Sequence, residues 1–525
     1  NISRRNNKSF GWNIENTLTY TKQIEKHNIT VLLGQGAYQD NKIYTETGVT
    51  YFDIPVTNYQ DASFNFDVPA SQRSSYSVDG VEHNVNSLFA RVNYDYNEKY
   101  LFNGVIRRDG SSRFGQNNQY GIFPSFSVGW VASNEDFWKE NKVVTNLKIR
   151  AGYGVTGNDA IPDFGYLSTI GGGRNYTIGD AGNITSGYSP NAPSNPDLKW
   201  EETAQTNIGF DAKIYNDFNF TFEWYKKVTT GILQYQQIPG YVGATGQPLA
   251  NIADMENSGL EFELGYKKKF GDFNFSVNAN YSTLNNEVTH LGNGIEYITN
   301  GSAGFQSMGP ITRTQVGEAY NSFYGYQTAG IFQNQDEINA YTNGDGGLIQ
   351  PDARPGDFRW TDSNGDGTIN DEDRVFLGSS LPTYNYGFTI NLDYKGFDFM
   401  AFAQGAGGNK IFQGLRRLDV GNANYQTDAL GRWTGEGTSN SYPRLTNNDT
   451  NGNFGKPSDF YLEDGDYLRL KLIQFGYSLP NDVIGKVGLQ KLRFYVTGEN
   501  LLTFTKYTGY DPEIGGSVFG VDRGY

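Results

Sequence analysis

The run from position 362 to 373 has residue types and a spacing that suit the binding of a metal ion. Side-chain oxygens stand at its first, third, fifth and twelfth positions, and a glycine stands at the sixth. The residues are Asp362, Asn364, Asp366, Gly367 and Asp373, with the carbonyl of Thr368 as a further ligand. Oxygen ligands at this spacing wrap around Ca²⁺, a hard cation, and the glycine makes the sharp turn that such a loop needs. The sequence therefore predicts a calcium site, with Ca²⁺ as the expected cofactor.

The position of this run argues for a structural ion. The run lies in the longest predicted loop, where an extracellular calcium ion would fix the conformation of backbone that has no hydrophobic core of its own. Asp373 is shorter than the glutamate usual at the twelfth position, which weakens bidentate closure of the loop. A solvated acidic turn is the alternative interpretation of the same residues.

The side chains that enzymes use are scarce and scattered. The chain has no cysteine, so disulfides, thiol nucleophiles and cysteine-ligated metals are excluded. Its three histidines, His27, His83 and His290, form no metal-binding pair, and no nucleophile elbow or phosphate-binding loop is present. The adjacent carboxylates Glu201 and Glu202 are expected to be solvated, since nothing places them across a cleft. The sequence predicts that the protein is not an enzyme.

Composition favours a protein built of strands. Aromatic residues make up 15% of the 525 residues, and the 65 glycines suit hairpins and close packing. No run is long and apolar enough to predict a transmembrane helix. The net charge of −15 argues against nucleic acid as a partner, because phosphate binding requires clustered lysine and arginine.

Apolar and polar residues alternate with a period of two, which is the pattern of a strand with one apolar and one polar face. In one such run Phe273, Phe275 and Val277 share a face, while Asn274 and Ser276 share the other. These runs predict about fourteen strands. Their approximate spans are 11–21, 29–38, 85–96, 100–110, 120–131, 146–157, 200–214, 218–234, 256–268, 273–288, 383–395, 397–409, 465–479 and 491–505.

The predicted fold class is all-β, a transmembrane antiparallel β-barrel. Aromatic residues at many strand ends suit the interfacial girdles of such a barrel. A soluble β-sandwich would show the same alternation, because its apolar faces pack a core and its polar faces meet water. The residues Leu468, Leu470 and Leu472 are followed by Ile473, and this change of phase predicts a β-bulge.

The predicted connections alternate between short and long, as they do between the periplasmic turns and extracellular loops of outer-membrane barrels. The extracellular loops are 39–84, 111–119, 158–199, 235–255, 289–382 and 410–464, the calcium-loop-like insert 362–373 being part of the fifth. The first strand ends in a short turn and therefore runs inward, and the chain ends in what should be an extracellular loop. We therefore expect residues 1–525 to form a partial barrel domain that lacks at least its last strand, since open sheet edges are not tolerated in lipid.

Short motifs spread over nearly the whole chain carry a resemblance to a known family. They are Asn97–Phe102, Arg107–Gly115, Phe123–Trp130, Leu147–Gly154, Thr156–Asn158, Asn195–Glu201, Gly356–Asp357, Leu468–Lys471, Gly476–Pro480 and Thr497–Leu501. In this order they resemble the SusC/RagA family of TonB-dependent outer-membrane transporters. The Arg107–Gly115 stretch would form either a binding patch or a charged rim, and the residues alone leave both open.

The resemblance implies a barrel of about 22 strands, from which this chain would lack the plug domain and the last strand. The complete protein would lie in the outer membrane of a Gram-negative, Bacteroidetes-type bacterium, in contact with outer-membrane lipid and lipopolysaccharide. It would import a complex nutrient, an oligosaccharide being favoured over a peptide, beneath a SusD-like surface lipoprotein that acts as a lid. TonB, with ExbB and ExbD, would drive this import through the absent N-terminal region.

Two functional points stay open at this stage. The loop aromatics Tyr235, Tyr241 and Tyr425 would suit stacking on sugars, but packing on one another is the favoured interpretation, and no substrate-binding residue is assigned. The competing function is a passive surface-binding or scaffold barrel without energised transport. A TonB box and a plug upstream would distinguish the two.

Overall fold

The computed structural model describes eight segments of the chain. They are residues 2–49, 73–78, 82–138, 141–178, 183–292, 294–299, 308–417 and 424–513. Strands dominate these segments, and no helix in them is both long and apolar enough to cross a membrane.

Fourteen strands follow one another in a single sheet in the order of the chain. They are β1 (Ile2–Ile24), β2 (His27–Val49), β3 (His83–Tyr96), β4 (Tyr100–Ser111), β5 (Tyr120–Val131), β6 (Val144–Asn158), β7 (Glu201–Ile214), β8 (Phe218–Tyr235), β9 (Leu249–Phe270), β10 (Phe273–Thr283), β11 (Tyr384–Tyr394), β12 (Phe397–Gly407), β13 (Tyr467–Ser478) and β14 (Arg493–Thr505). Two further strands join its margin, Arg73–Val78 on β2 and Asn285–Leu291 on β9. Each predicted span overlaps one of the fourteen, and the all-β antiparallel fold is confirmed.

The remaining elements lie in the connections. The short strands are Ile170–Gly171, Tyr176–Ile178, Asn183–Thr185, Ser189–Pro190, Tyr297–Ile298, Thr312–Gln315, Ser322–Gly325, Thr328–Ile331, Phe358–Trp360, Val375–Gly378, Lys410–Phe412 and Leu462–Asp464. The α-helices are Gln335–Ala340 and Asn481–Ile484. The 3₁₀ helices are Ala132–Asn134, Asp136–Trp138, Gly240–Val242, Asp371–Asp373, Gly414–Arg416, Thr427–Gly431, Asp459–Tyr461 and Gly485–Val487.

Tight turns join the strands at one end of the sheet. The β11–β12 turn consists of Lys395 and Gly396, with φ of +47° and +88°. Two successive positive φ angles match the twist of the flanking strands, and glycine adopts the second without steric cost. The β3–β4 turn has three residues, Asn97, Glu98 and Lys99, and the first two have φ of +54° and +55°.

The register places apolar side chains of neighbouring strands directly opposite one another. Between β10 and β11, Phe275 pairs with Leu392 and Val277 pairs with Ile390. The intervening positions pair polar residues in the same way on the other face. Since side chains alternate along a strand, this register produces one continuous apolar face and one polar face.

The apolar face is exposed, not buried in a core. Ile122 is 59% exposed, Phe126 is 52% exposed and Phe475 is 52% exposed. A soluble sandwich would bury such residues between its two sheets. Their exposure therefore favours a sheet whose apolar face meets lipid.

The predicted β-bulge is present in β13. Leu470 pairs with Ala403 of β12, whereas Leu472 pairs with the preceding residue, Phe402. Lys471 is therefore the extra residue, and the bulge is confirmed.

Strand lengths differ from the predicted spans where alternation is poor. The predicted loop 39–84 begins too early, because β2 continues to Val49 and pairs with β1 over its whole length. Backbone pairing needs no apolar pattern, so polar strand ends escape a search for alternation. Residues 50–72 and 79–81 of that loop lie outside the described residues. The loop 235–255 is likewise shorter, since β9 begins at Leu249.

The chain divides into two compact units. The first comprises residues 1–130, 151–206 and 229–253. Its core contains Phe114 and Leu198, both fully buried, together with Phe123, Trp200 and others. The Trp200 ring lies 5.1 Å from that of Phe114 and 5.3 Å from that of Phe123. This core is built by connections and strand ends rather than by the sheet faces.

The second unit comprises residues 131–150, 207–228 and 254–525. Its core lies in the long connections after β10 and after β12. The buried residues are Met308, Phe323, Tyr326, Ile331, Phe358, Trp360, Phe412, Ala429, Tyr442, Phe454, Phe460 and Tyr461. The expectation that the longest loop has no core of its own is therefore wrong. Two connections contribute to this core together, and neither shows a periodic apolar run by itself.

Candidate functional site

The predicted calcium loop begins just after the Phe358–Trp360 strand. The Asp362 carboxylate accepts backbone hydrogen bonds from Gly365 (2.8 Å), Gly367 (2.9 Å) and Asp366 (3.1 Å). The Asn364 side-chain oxygen also accepts from the Asp366 N–H, at 3.0 Å. Side chains at the first and third positions therefore share a donor, and the structure brings them together.

Asp366, at the fifth position, is held by Thr368. Its Oδ1 accepts from the Thr368 N–H (2.8 Å) and hydroxyl (2.9 Å), and its Oδ2 accepts from Asn364 Nδ2 (3.1 Å). Hydrogen bonds from Thr368, then from Asn364, lower the pKa of Asp366. These bonds therefore favour the ionised form of the carboxylate, which is the form that binds a cation.

Asp373 closes the loop by hydrogen bonds. It is fully buried, and its two oxygens accept from the N–H of Ser363 (2.8 Å) and the N–H of Asn370 (2.7 Å). Gly367 has φ of +84°, and a Cβ there would lie 2.5 Å from Cβ of Asn343. Glycine is therefore required at the sixth position by both conformation and space.

The donor set fits calcium when its neutral oxygens are counted. Among the described residues, no three histidine, cysteine, aspartate or glutamate side chains gather closely enough to hold a metal ion by themselves. The loop offers the carboxylates of Asp362 and Asp366 together with the amide oxygen of Asn364 and the carbonyl of Thr368. This mixture of charged and neutral oxygens suits Ca²⁺ and contains no nitrogen or sulfur ligand for a transition metal.

Tyr326 anchors the end of this loop to the core of the second unit. Its hydroxyl donates to Asp371 at 2.9 Å, and Lys456 Nζ lies 4.9 Å from the centre of its ring. Burial and the bond to Asp371 raise the pKa of Tyr326, and burial lowers the pKa of Lys456. The loop is thus fixed on packed structure.

A buried ion pair joins the two connections that build this core. Asp357 is fully buried, and Arg444 donates to it from Nε (2.6 Å) and from a terminal nitrogen (3.3 Å). Asn453 Nδ2 and the Arg354 N–H donate to the same carboxylate, each at 2.8 Å. The Gly356–Asp357 motif is visible in the sequence. Arg444, the partner of Asp357, is 87 residues away and was not predicted.

The Arg107–Gly115 stretch lies in the first unit, and two of its three arginines pair with carboxylates. Arg107 Nε donates to Asp109 at 2.7 Å, and Arg113 Nε donates to Asp163 at 3.0 Å. Phe114 is fully buried against Trp200. These contacts favour a structural, charged rim over a binding patch.

His83, Ser111 and Asp159 also meet in the first unit. His83 Nε2 lies 2.8 Å from Asp159 Oδ2, to which the Ser111 hydroxyl donates at 2.7 Å. Ser111 is 1% exposed, and its hydroxyl bonds the carboxylate directly. The hydroxyl also lies 3.4 Å from His83 Nε2. A nucleophilic serine must be accessible, so this buried group ties strand ends together.

The three loop tyrosines have different surroundings. Tyr241 is 90% exposed and Tyr235 is 56% exposed. Tyr425 is 42% exposed. Among them, Tyr241 offers an open ring face.

The polar face of the sheet carries paired charges in the second unit. Arg150 of β6 pairs with Glu223 of β8 and lies 3.4 Å from Asp211. Charged side chains along this face, opposite an exposed apolar face, are the arrangement of a sheet that separates lipid from water.

Comparisons with known proteins agree with this arrangement. A family model described as TonB dependent receptor-like, beta-barrel matches residues 1–348. TonB-dependent receptor P3 of Formosa agariphila is 34% identical over 507 residues, which cover 95% of this chain and 48% of that protein. TonB-dependent receptor SusC of Bacteroides thetaiotaomicron is 31% identical over 440 residues, which cover 82% of this chain and 41% of that protein.

Among solved structures, the RagAB peptide transporter has a similar fold. The TM-score is 0.78 at 23% identity, over 98% of this chain and 54% of that chain. This chain spans about half the length of the curated relatives that it matches.

Proposed function

The chain belongs to the TonB-dependent receptor-like β-barrel family, and we propose that its complete protein imports a complex nutrient as the SusC-like partner of a SusD-like surface lipoprotein. The family consists of outer-membrane receptors and transporters, so this chain is an outer-membrane protein and not an enzyme. The resemblance, the localisation and the absence of an enzymatic role, all predicted from the sequence, are thereby confirmed.

The observation that supports import best is the pair of sheet faces. An exposed apolar face and a charged polar face fit a wall with lipid outside and an aqueous lumen inside. The names of the relatives, TonB-dependent receptor P3 and TonB-dependent receptor SusC, also support a TonB-dependent role. TonB would supply the driving force from the inner membrane, and the lipoprotein would cover the extracellular loops.

An oligosaccharide is the substrate class that we favour. The open ring of Tyr241, in the connection that follows β8, suits stacking against the apolar faces of sugars. A peptide is the alternative, since the structural neighbour RagAB is a peptide transporter.

Uptake experiments test this proposal. We expect deletion of the complete gene to abolish growth on one complex glycan, and loss of TonB to have the same effect.

In the complete protein, Tyr241→Ala should reduce uptake of that glycan while leaving the protein folded, because only a stacking surface is lost. Phe137→Ala provides a matched control, since Phe137 is also an exposed aromatic (72%) but lies in a different connection, between β5 and β6. Growth on every glycan and peptide without the gene, or uptake independent of TonB, would instead support a passive binding barrel.

We also propose that Asp362, Asn364, Asp366, Thr368 and Asp373 hold a structural Ca²⁺. The first three would supply side-chain oxygens, Thr368 its carbonyl and Asp373 the closing carboxylate. The bound ion would neutralise this acidic loop and fix it against the core that carries Tyr326.

Calorimetry on the complete protein in detergent, after treatment with a chelator, tests the calcium site. We expect one Ca²⁺ to bind with a dissociation constant of about 10⁻⁴ to 10⁻³ M, the range of extracellular calcium modules. Asp366→Asn should weaken binding, whereas Asp345→Asn should leave it unchanged because Asp345 is exposed in the same connection but outside the loop. Absence of calcium uptake by the folded wild-type protein would contradict the proposal.

A further inference from the structure

The chain after β14 turns back onto the polar face of the sheet. Thr508 donates from its N–H and its hydroxyl to Glu463, both at 2.7 Å, which fixes the start of the turn. Tyr507 beside it is 6% exposed. The following residues then reach β12 and β13 through two acidic side chains, Asp511 and Glu513. These contacts of Asp511 and Glu513 belong neither to the predicted calcium loop nor to the core of the second unit.

The Glu513 carboxylate is surrounded by donors. Its Oε1 accepts from Gln404 Nε2 (2.9 Å) and Lys471 Nζ (2.6 Å). Its Oε2 accepts from Arg469 (2.6 Å) and from Lys471 (2.6 Å). Both oxygens therefore have two donors each, from three side chains of the sheet.

Asp511 completes the arrangement. It accepts from the second terminal nitrogen of Arg469 and from the Glu513 N–H at 2.8 Å. Burial alone would raise the pKa of Asp511, but the bonds from Arg469 and Glu513, with the positive charges nearby, lower it overall. Two carboxylates thus neutralise two cations.

The sheet itself holds these donors in place. Arg469 is directly opposite Gln404 of β12 and directly opposite Thr503 of β14, whose hydroxyl accepts from Arg469 Nε at 2.9 Å. Lys471 is the extra residue of the β-bulge and lies on the same face. Arg469 is only 8% exposed. The donors are therefore positioned by β12, β13 and β14 and not by the acidic segment.

This set of donors has the chemistry of a carboxylate receptor. One terminal nitrogen of Arg469, the Lys471 ammonium and the Gln404 amide N–H match the two oxygens of one carboxylate, while the other terminal nitrogen of Arg469 binds Asp511. Bonds between charged partners are the strong ones. Leaving both cations without a partner at a poorly exposed position would be costly. A carboxylate must therefore occupy the site, but nothing in the donor geometry requires that it come from the chain.

We propose that Gln404, Arg469 and Lys471 form a carboxylate-binding site on the lumen face of the barrel wall, which Glu513 occupies as an internal ligand that a solute carboxylate displaces. A solute inside the lumen would meet this face. The solute can bind only while Glu513 is away from the site. The apparent affinity for the solute is therefore reduced in proportion to the fraction of time that the site is free of Glu513. The segment Asp511–Glu513 is thus an autoinhibitory segment that occupies the site.

Titration of the complete protein in detergent with glutarate, a small dicarboxylate, tests the site. In Asp511→Asn/Glu513→Gln the internal ligand loses its charge while the three donors remain, so glutarate should bind about tenfold more tightly or better than to the wild type. Adding Lys471→Gln should abolish this gain. Asp464→Asn, which removes a carboxylate that pairs with Lys410 elsewhere, should behave as the wild type.

Gel electrophoresis of heated and unheated samples shows whether each variant is folded, because a folded barrel migrates differently before and after heating. The proposal fails if folded Asp511→Asn/Glu513→Gln binds no glutarate, or if Lys471→Gln leaves its binding unchanged. Tighter binding of N-acetyl-dialanine or of digalacturonate would support it and identify a peptide or an acidic sugar as the source of the carboxylate. Equal binding of the uncharged amide of that peptide would overturn it.

This inference rests on the proposed import function for its biological role, because a solute must enter the lumen to reach the site. Its test does not depend on transport. Failure of nutrient uptake in cells would leave glutarate binding to the purified protein unaffected, and absence of glutarate binding would leave uptake of a neutral glycan unaffected.

Discussion

Asp357→Asn is expected to open the long connections after β10 and after β12. The substitution leaves Arg444 without a charged partner at a site where Asp357 is fully buried. Removing one member of a buried pair typically costs about 3–5 kcal/mol, because the remaining charge stays desolvated. Local opening should become at least about 100-fold more frequent. Hydrogen exchange of residues 444–454 in the complete protein measures this directly.

Asp464→Asn is the matched control for this experiment. Asp464 also pairs with a cation, Lys410, at 2.6 Å, but the two side chains are 59% and 40% exposed. Exposed pairs contribute about 0–1 kcal/mol, so hydrogen exchange should hardly change. Equal protection of residues 444–454 in the Asp357→Asn variant and the wild type would show that the pair does not hold these connections together.

Val277→Arg is expected to prevent stable insertion of the protein into the outer membrane. Val277 lies near the middle of β10, on the apolar face, between Tyr266 of β9 and Ile390 of β11. An arginine that faces lipid near the centre of the bilayer costs about 2–4 kcal/mol in a β-barrel. The amount of folded, full-length protein in outer-membrane fractions should fall several-fold.

The neighbouring substitution Asn278→Arg tests the assignment of the two faces. Asn278 pairs with Thr389 on the polar face, where an arginine would meet water. We expect normal levels of folded protein in the outer membrane for this variant. An equal decrease in folded outer-membrane protein for Val277→Arg and Asn278→Arg would contradict the assignment of one lipid face and one lumen face.

The strands could be predicted from the sequence because their signal is local. Alternation from Phe273 to Val277 needs only that successive side chains point to opposite faces, whatever lies beside the strand. The same local rule predicted a bulge in β13 from the change of phase between Leu472 and Ile473, since one extra residue inverts the phase. The predicted calcium loop is also a local pattern, and all of its proposed donors fall within the single short run 362–373.

Contacts between distant residues could not be predicted in this way. The pairing of Asp357 with Arg444 joins residues 87 apart, and Arg469 contacts Glu513 across 44 positions. Neither contact produces a periodic pattern, because each depends on where two connections meet. The core around Trp360 escaped prediction for the same reason, since its members come from two separate connections.

The sequence by itself determined the strands, their turns, their two faces and the family to which the chain belongs. It left a soluble sandwich and a membrane barrel equally compatible with the alternation. The tertiary structure separated the two, because residues such as Phe126 and Phe475 of the apolar face are exposed and the largest core lies in the connections. Alternation records only that two faces differ, whereas the medium that each face meets depends on what the whole chain packs against it.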